Sequence, residues 1–71
     1  MKRGELRMLR HLERTRQWYT PELMSTQQAC SGLHREGYLE RRQLPSAHPR
    51  FEYRVDPNSS TLREARALGL L

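Results

Sequence analysis

What this chain lacks narrows it before anything it contains. Its one cysteine, Cys30, excludes a disulfide within the chain and suits a reducing compartment. No apolar run approaches the roughly 20 residues of a membrane-spanning helix. The start MKRGELRMLR is basic and has no apolar stretch of the kind a secretion signal needs. The expected setting is therefore the cytoplasm. There is no glycine-rich phosphate loop, and no serine stands in a nucleophile motif. His11, His34 and His48 fall in separate segments without ligand-like spacing to Cys30. The expectation is a protein without a metal, a cofactor or catalytic residues, and not an enzyme. With 71 residues, 35% of them hydrophobic, one small core is possible and a deep catalytic cleft beside it is not.

Lysine is nearly missing too. Lys2 stands alone against twelve arginines, and thirteen basic residues face eight acidic ones, for a formal net charge of +5. A small domain this basic is expected to meet a polyanion, most often nucleic acid. The arginine excess has two readings. The planar guanidinium forks onto phosphate or guanine, or the codons come from a GC-rich genome. Only where the arginines fall can separate the two.

Residues 4–15 form the clearest predicted helix. Leu6, Leu9 and Leu12, with Met8 beside them, share one side, and Arg3, Arg7, Arg10 and Arg14 gather within about 60° on the other. That basic stripe is either an ordinary solvated face or a surface for phosphate. Trp18 and Tyr19 form a short extended piece, and Thr20-Pro21-Glu22 reads as a helix start: a capping hydroxyl, a proline at the first helical position and an acid in the first turn. A further helix begins at Ser25 or Thr26 and runs to Glu36. It turns Ala29, Cys30 and Leu33 inward, and Gln27, Gln28, Ser31, His34 and Arg35 outward. Gly37 closes it with a positive φ, and Gly32 within it marks close approach of another backbone.

Residues 38–44 and 50–56 read as strands of a hairpin. Phe51, Tyr53 and Val55 alternate with Glu52 and Arg54, and Pro45-Ser46-Ala47-His48-Pro49 forms the loop between. A last short helix begins at Ser59 or Ser60, with Leu62, Ala65 and Leu68 inward.

Leu33-x-x-x-Gly37-Tyr38-Leu39-Glu40-Arg41-Arg42 resembles the end of the recognition helix and the first wing strand of the winged helix-turn-helix superfamily. Thr20-Pro21-Glu22-Leu23 resembles the start of that superfamily's second helix. The resemblance covers residues 4–56 and marks a superfamily rather than one protein. It implies an α+β domain spanning 1–71, with three helices, a two-stranded hairpin wing, and a short C-terminal helix or tail over 57–71. One departure stands out. Few residues separate Thr20 from the recognition helix, so the second helix is either a single turn, or 21–36 is one continuous helix.

The resemblance further implies double-stranded DNA as partner, with the recognition helix in the major groove, the one groove that distinguishes all four base pairs. The side chains expected at bases are Gln27, Gln28, Ser31 and Arg35, with Gln27 at the edge. Those expected at the DNA backbone are Thr20, Ser25, Thr26, His34, Arg42, His48 and Arg50, together with the stripe Arg3, Arg7, Arg10 and Arg14. Arg41 and Arg54 are expected to pair instead with Glu40 and Glu52 on the sheet. The role implied is a small transcriptional regulator or nucleoprotein-assembly factor, its size suiting a phage or mobile element. An alternative is a winged-helix adaptor or inhibitor that binds protein and not DNA. The C-terminal Leu68, Leu70 and Leu71 either cap the core or form a homodimer seam.

Overall fold

The computed structural model describes residues 1–45 and 50–71. It carries α1 (Arg3–Thr15), α2 (Met24–Arg35), β1 (Leu39–Leu44), β2 (Arg50–Val55) and α3 (Ser60–Ala67). Helix α1 follows from its apolar spacing: Leu9 and Leu12 are wholly buried and Met8 packs beside them. Glu5 reaches back from the first turn to accept the Lys2 backbone N–H at 3.0 Å, satisfying a donor the helix itself leaves open. Arg16 ends α1 in a left-handed conformation, φ 56°. Leu6 departs from the expected apolar stripe: it is half-exposed and lies among the arginines.

The expected helix at Thr20 does not form, and the described residues hold three helices in all. Its absence has a physical cause. Tyr19 and Tyr53 exchange both backbone hydrogen bonds at 2.8 Å, and the Thr20 hydroxyl donates to Glu52 Oε2 at 3.4 Å. The would-be cap is held against β2, so 20–23 stay out of helix, and Pro21 is buried there. Helix α2 starts instead at Met24, with Leu23 in the cap position and no side chain capping it. Thr26 lies inside the first turn, where its hydroxyl donates to the Leu23 carbonyl at 2.9 Å.

Helix α2 buries Cys30 and Leu33 completely and ends at Gly37, φ 93°, as expected. Gly32 does admit a close neighbour, but it is the Glu5 side chain rather than a backbone. A Cβ there would overlap the Glu5 carboxylate, so α1 and α2 meet at that point.

Strands β1 and β2 pair antiparallel, Leu39 opposite Val55 through Leu44 opposite Arg50. Tyr38, Leu39, Tyr53 and Val55 join the leucines of α1 and α2 in one core. Helix α3 is capped by Ser59, whose Oγ accepts the Leu62 N–H at 3.0 Å and donates to the Gly37 carbonyl at 2.6 Å. Leu62 and Ala65 complete the core. Leu68 does not: it is 67% exposed, as Leu70 is 52%, and only Leu71 of that cluster packs inward. A core role for Leu68 and Leu70 is thereby corrected, because α3 ends at Ala67 before their side chains reach the interior. The loop expected over 45–49 falls, but for Pro45, outside the described residues.

Candidate nucleic-acid interface

The outer face of α2 begins with the helix period. At 100° per residue, Gln28, Ser31 and Arg35 centre about 160° from Cys30 and Leu33, so they point away from the core. Gln28 and Arg35 are exposed and Ser31 is half-buried. Gln27 is exposed on the side nearer the sheet, its amide donating at 3.5 Å to the Glu22 carbonyl. Three of these side chains, Gln27, Gln28 and Ser31, line a groove of about 310 Å³ between α2 and the sheet, with Met24, Phe51 and Tyr53. Arg41 and Arg50 form its basic side. Arg35 lies apart from this groove, further along α2 toward its C-terminus.

The sheet sorts its arginines by register. Leu39, Arg41 and Gln43 share the side that faces α2, opposite Val55, Tyr53 and Phe51. Arg41 accordingly lies over the Phe51 ring, 4.3 Å from its centre. Among the described residues it has no carboxylate partner, contrary to the ion pair expected for it. Arg42 shows the reverse. Its guanidinium pairs with Glu52 and lies 4.2 Å over the Trp18 ring, so this expected phosphate contact is already engaged within the molecule. Arg54 pairs with Glu40 at 2.5 Å, as expected, and lies on the same Trp18 ring at 4.5 Å. Trp18 and its two arginines make the sheet's outer side a stacked, charge-matched surface. The sequence offered a signal for Arg41: it stands two residues from the inward Leu39, and period two puts it on that face. Nothing in the sequence pairs Trp18 with residues so far along the chain.

The other expected backbone contacts divide. Ser25 is exposed at the start of α2 and Thr26 is half-buried. Thr20 is half-buried and turned to Glu52. His34 is half-buried rather than outward, edge-on to Tyr53 with ring centres 6.3 Å apart. Burial, and then the Arg41 charge, hold its imidazole below the usual histidine range, so at neutral pH it is an uncharged donor and not a cation. His48 lies outside the described residues. Cys30 is wholly buried, and that burial pushes its thiol up to about 11.

On α1, Arg3, Arg7, Arg10 and Arg14 are all exposed along one face with Leu6. None has a carboxylate partner among the described residues, whereas Arg16 and Arg66 both share Glu13, which ties α1 to α3. Like charges three and four residues apart oppose a helix by about 0.2–0.5 kcal/mol per pair. Arg7 and Arg14 also border a cleft shared with Ser25, Thr26 and Ala29 of α2. Helix α2 is thus flanked by arginines that have no carboxylate partner among the described residues, Arg41 and Arg50 toward the sheet and Arg7 and Arg14 toward α1.

Among the described residues, no group of three or more His, Cys, Asp or Glu is placed to hold a metal ion, and no helix is long and apolar enough to cross a membrane. Comparison with models of protein families, with curated proteins and with solved structures gives no match.

Proposed function

We propose that this protein binds double-stranded DNA through α2, in a winged-helix manner, with α2 in the major groove and Arg41 and Arg50 of the hairpin on the backbone. The observation that carries this reading is the outer face of α2. It presents amides, a hydroxyl and a guanidinium, and it is bordered on the sheet side by Arg41 and Arg50. Glutamine pairs bidentately with adenine and arginine with guanine, while an unpaired guanidinium beside the helix meets phosphate. A role in transcription regulation or nucleoprotein assembly follows from that chemistry.

The test is fluorescence anisotropy of a labelled random-sequence duplex at 50 and 200 mM salt. Several phosphate contacts predict an affinity loss of orders of magnitude between the two. Selection of a preferred sequence then allows Gln28→Ala and Arg35→Ala to be compared. Both should flatten sequence preference more than they weaken nonspecific binding. No binding at low salt, or preference intact in both variants, defeats the reading.

A second reading has an observation of its own. Leu23 and Met24 are 67% and 69% exposed at the start of α2, where a protein partner would find apolar anchors. In that reading the molecule is an adaptor or inhibitor, and Leu23→Ser with Met24→Ser abolishes partner capture while duplex binding is absent from the start.

A further inference from the structure

Among the described residues, the arginine stripe of α1 pairs with nothing. Four guanidinium groups of one sign stand on one exposed helical face, without carboxylates among the described residues. The helix forms against their mutual repulsion. Of the eight arginines off the stripe, Arg16, Arg42, Arg54 and Arg66 have carboxylate partners among the described residues, whereas all four of the stripe lack one. A ligand bearing closely spaced negative charge removes that repulsion, and the one that supplies such charge along a line is the phosphate backbone of a nucleic-acid duplex. From Arg3 to Arg14 the helix rises about 16 Å, while a duplex strand presents a phosphate about every 3.4 Å along its axis. The stripe therefore spans several phosphates.

Geometry separates this face from the outer face of α2. On α1 the arginines centre about 160° from Leu9 and Leu12; on α2, Gln28, Ser31 and Arg35 centre about 160° from Cys30 and Leu33. Those four apolar side chains belong to one core, and Glu5 of α1 meets Gly32 of α2. Two helices packed in this way have axes 8–10 Å apart and outer faces roughly 20 Å apart, turned away from the core between them. We propose that the α1 stripe is a second duplex-binding surface, so that one molecule holds one duplex on α2 and the hairpin and another on α1. The inference rests on the α2 reading for the first duplex, and on the stripe alone for the second.

A bead-bound duplex, incubated with protein and then with a second, fluorescent duplex, measures bridging. Anisotropy with one labelled duplex measures single binding in parallel. The variant carries R3Q and R10Q, the two stripe arginines that do not border the cleft shared with α2, and both substitutions keep good helix formers and relieve repulsion. Its circular dichroism and thermal midpoint check that it folds. The expected result is capture of the second duplex by the natural sequence, at least tenfold less capture by the variant, and single-duplex affinity within about twofold. Capture undiminished in the variant overturns the inference, since bridging would then come from self-association. So does a parallel tenfold loss of single-duplex affinity, which would make the stripe part of one continuous interface with α2. Single binding without bridging by the natural sequence defeats this inference and leaves the α2 reading standing. Absence of any duplex binding defeats both.

Discussion

At the scale of the residue, position overrode type. Arg41 and Arg42 are neighbours with the same side chain, yet one lies over Phe51 beside the α2 groove and the other is held by Glu52 and Trp18. Strand alternation alone separates them. His34 is the residue whose protonation the fold opposes. Its pKa is lowered from the ordinary value of 6.5, by burial and then by Arg41. The unfolded chain therefore takes up this proton more readily, and folding stability falls as pH drops below about 6.5. His34→Gln removes that titration. Urea unfolding at pH 7 and pH 5 should show a smaller loss for the variant than for the natural sequence. Equal losses would mean that His34 is not the titrating group.

At the scale of the element, periodicity was legible and competition was not. Leu9 and Leu12 of α1, the Cys30 and Leu33 side of α2 and the Ser59 cap follow from local pattern, but the alternation of β2 holds only in part: Glu52, expected on the solvated side, is buried, held by Thr20 and Arg42. Thr20-Pro21-Glu22 carries good helix-start chemistry and still fails to start a helix. Its neighbour Tyr19 is claimed by Tyr53, and its hydroxyl by Glu52, residues more than thirty positions away. No local signal registers such a claim. Leu68 was misplaced for a related reason, because helical spacing predicts a face but not where the helix stops. Ser59 joins two elements with one hydroxyl, capping α3 and bonding the turn at Gly37. Ser59→Ala should cost about 1–2 kcal/mol, and each kcal/mol lowers Tm by roughly 4–8 °C in a domain of this size. Ser59→Thr keeps the capping hydroxyl and should retain most of that stability. A Tm unchanged in the alanine variant would show that the cap contributes nothing.

At the scale of the whole molecule, the surface is divided by chemistry. Basic faces lie on α1 and beside α2, the outer side of the sheet is neutralised by its own ion pairs, and apolar side chains are exposed at the C-terminus. Because Leu68 and Leu70 are exposed while Leu71 packs on the core, their removal separates folding from assembly. Leu68→Ser with Leu70→Ser should change stability by no more than about 0.5 kcal/mol, as surface substitutions do. Sedimentation reports the mass in the same samples. A dimer seam appears as a fall from dimer to monomer in the variant, and identical masses rule it out. A large drop in Tm would mean that the two leucines are buried after all.

The bridge between Tyr19 and Tyr53 has a consequence for the path of the chain. Tyr19 lies antiparallel to β2 on one edge, and β1 lies antiparallel to it on the other, so Tyr19 and β1 run parallel with β2 between them. Residues 20–38, with α2 among them, thus form a crossover from one edge to the other. Crossovers between parallel strands of a sheet are right-handed almost without exception, because strand twist favours that sense of winding. The side of the sheet on which α2 rests is then a matter of chirality, decided by backbone rather than by the side chains that α2 turns outward. Those outward residues are free to change with little penalty to the fold, and the supporting frame keeps its hand whichever side chains stand there.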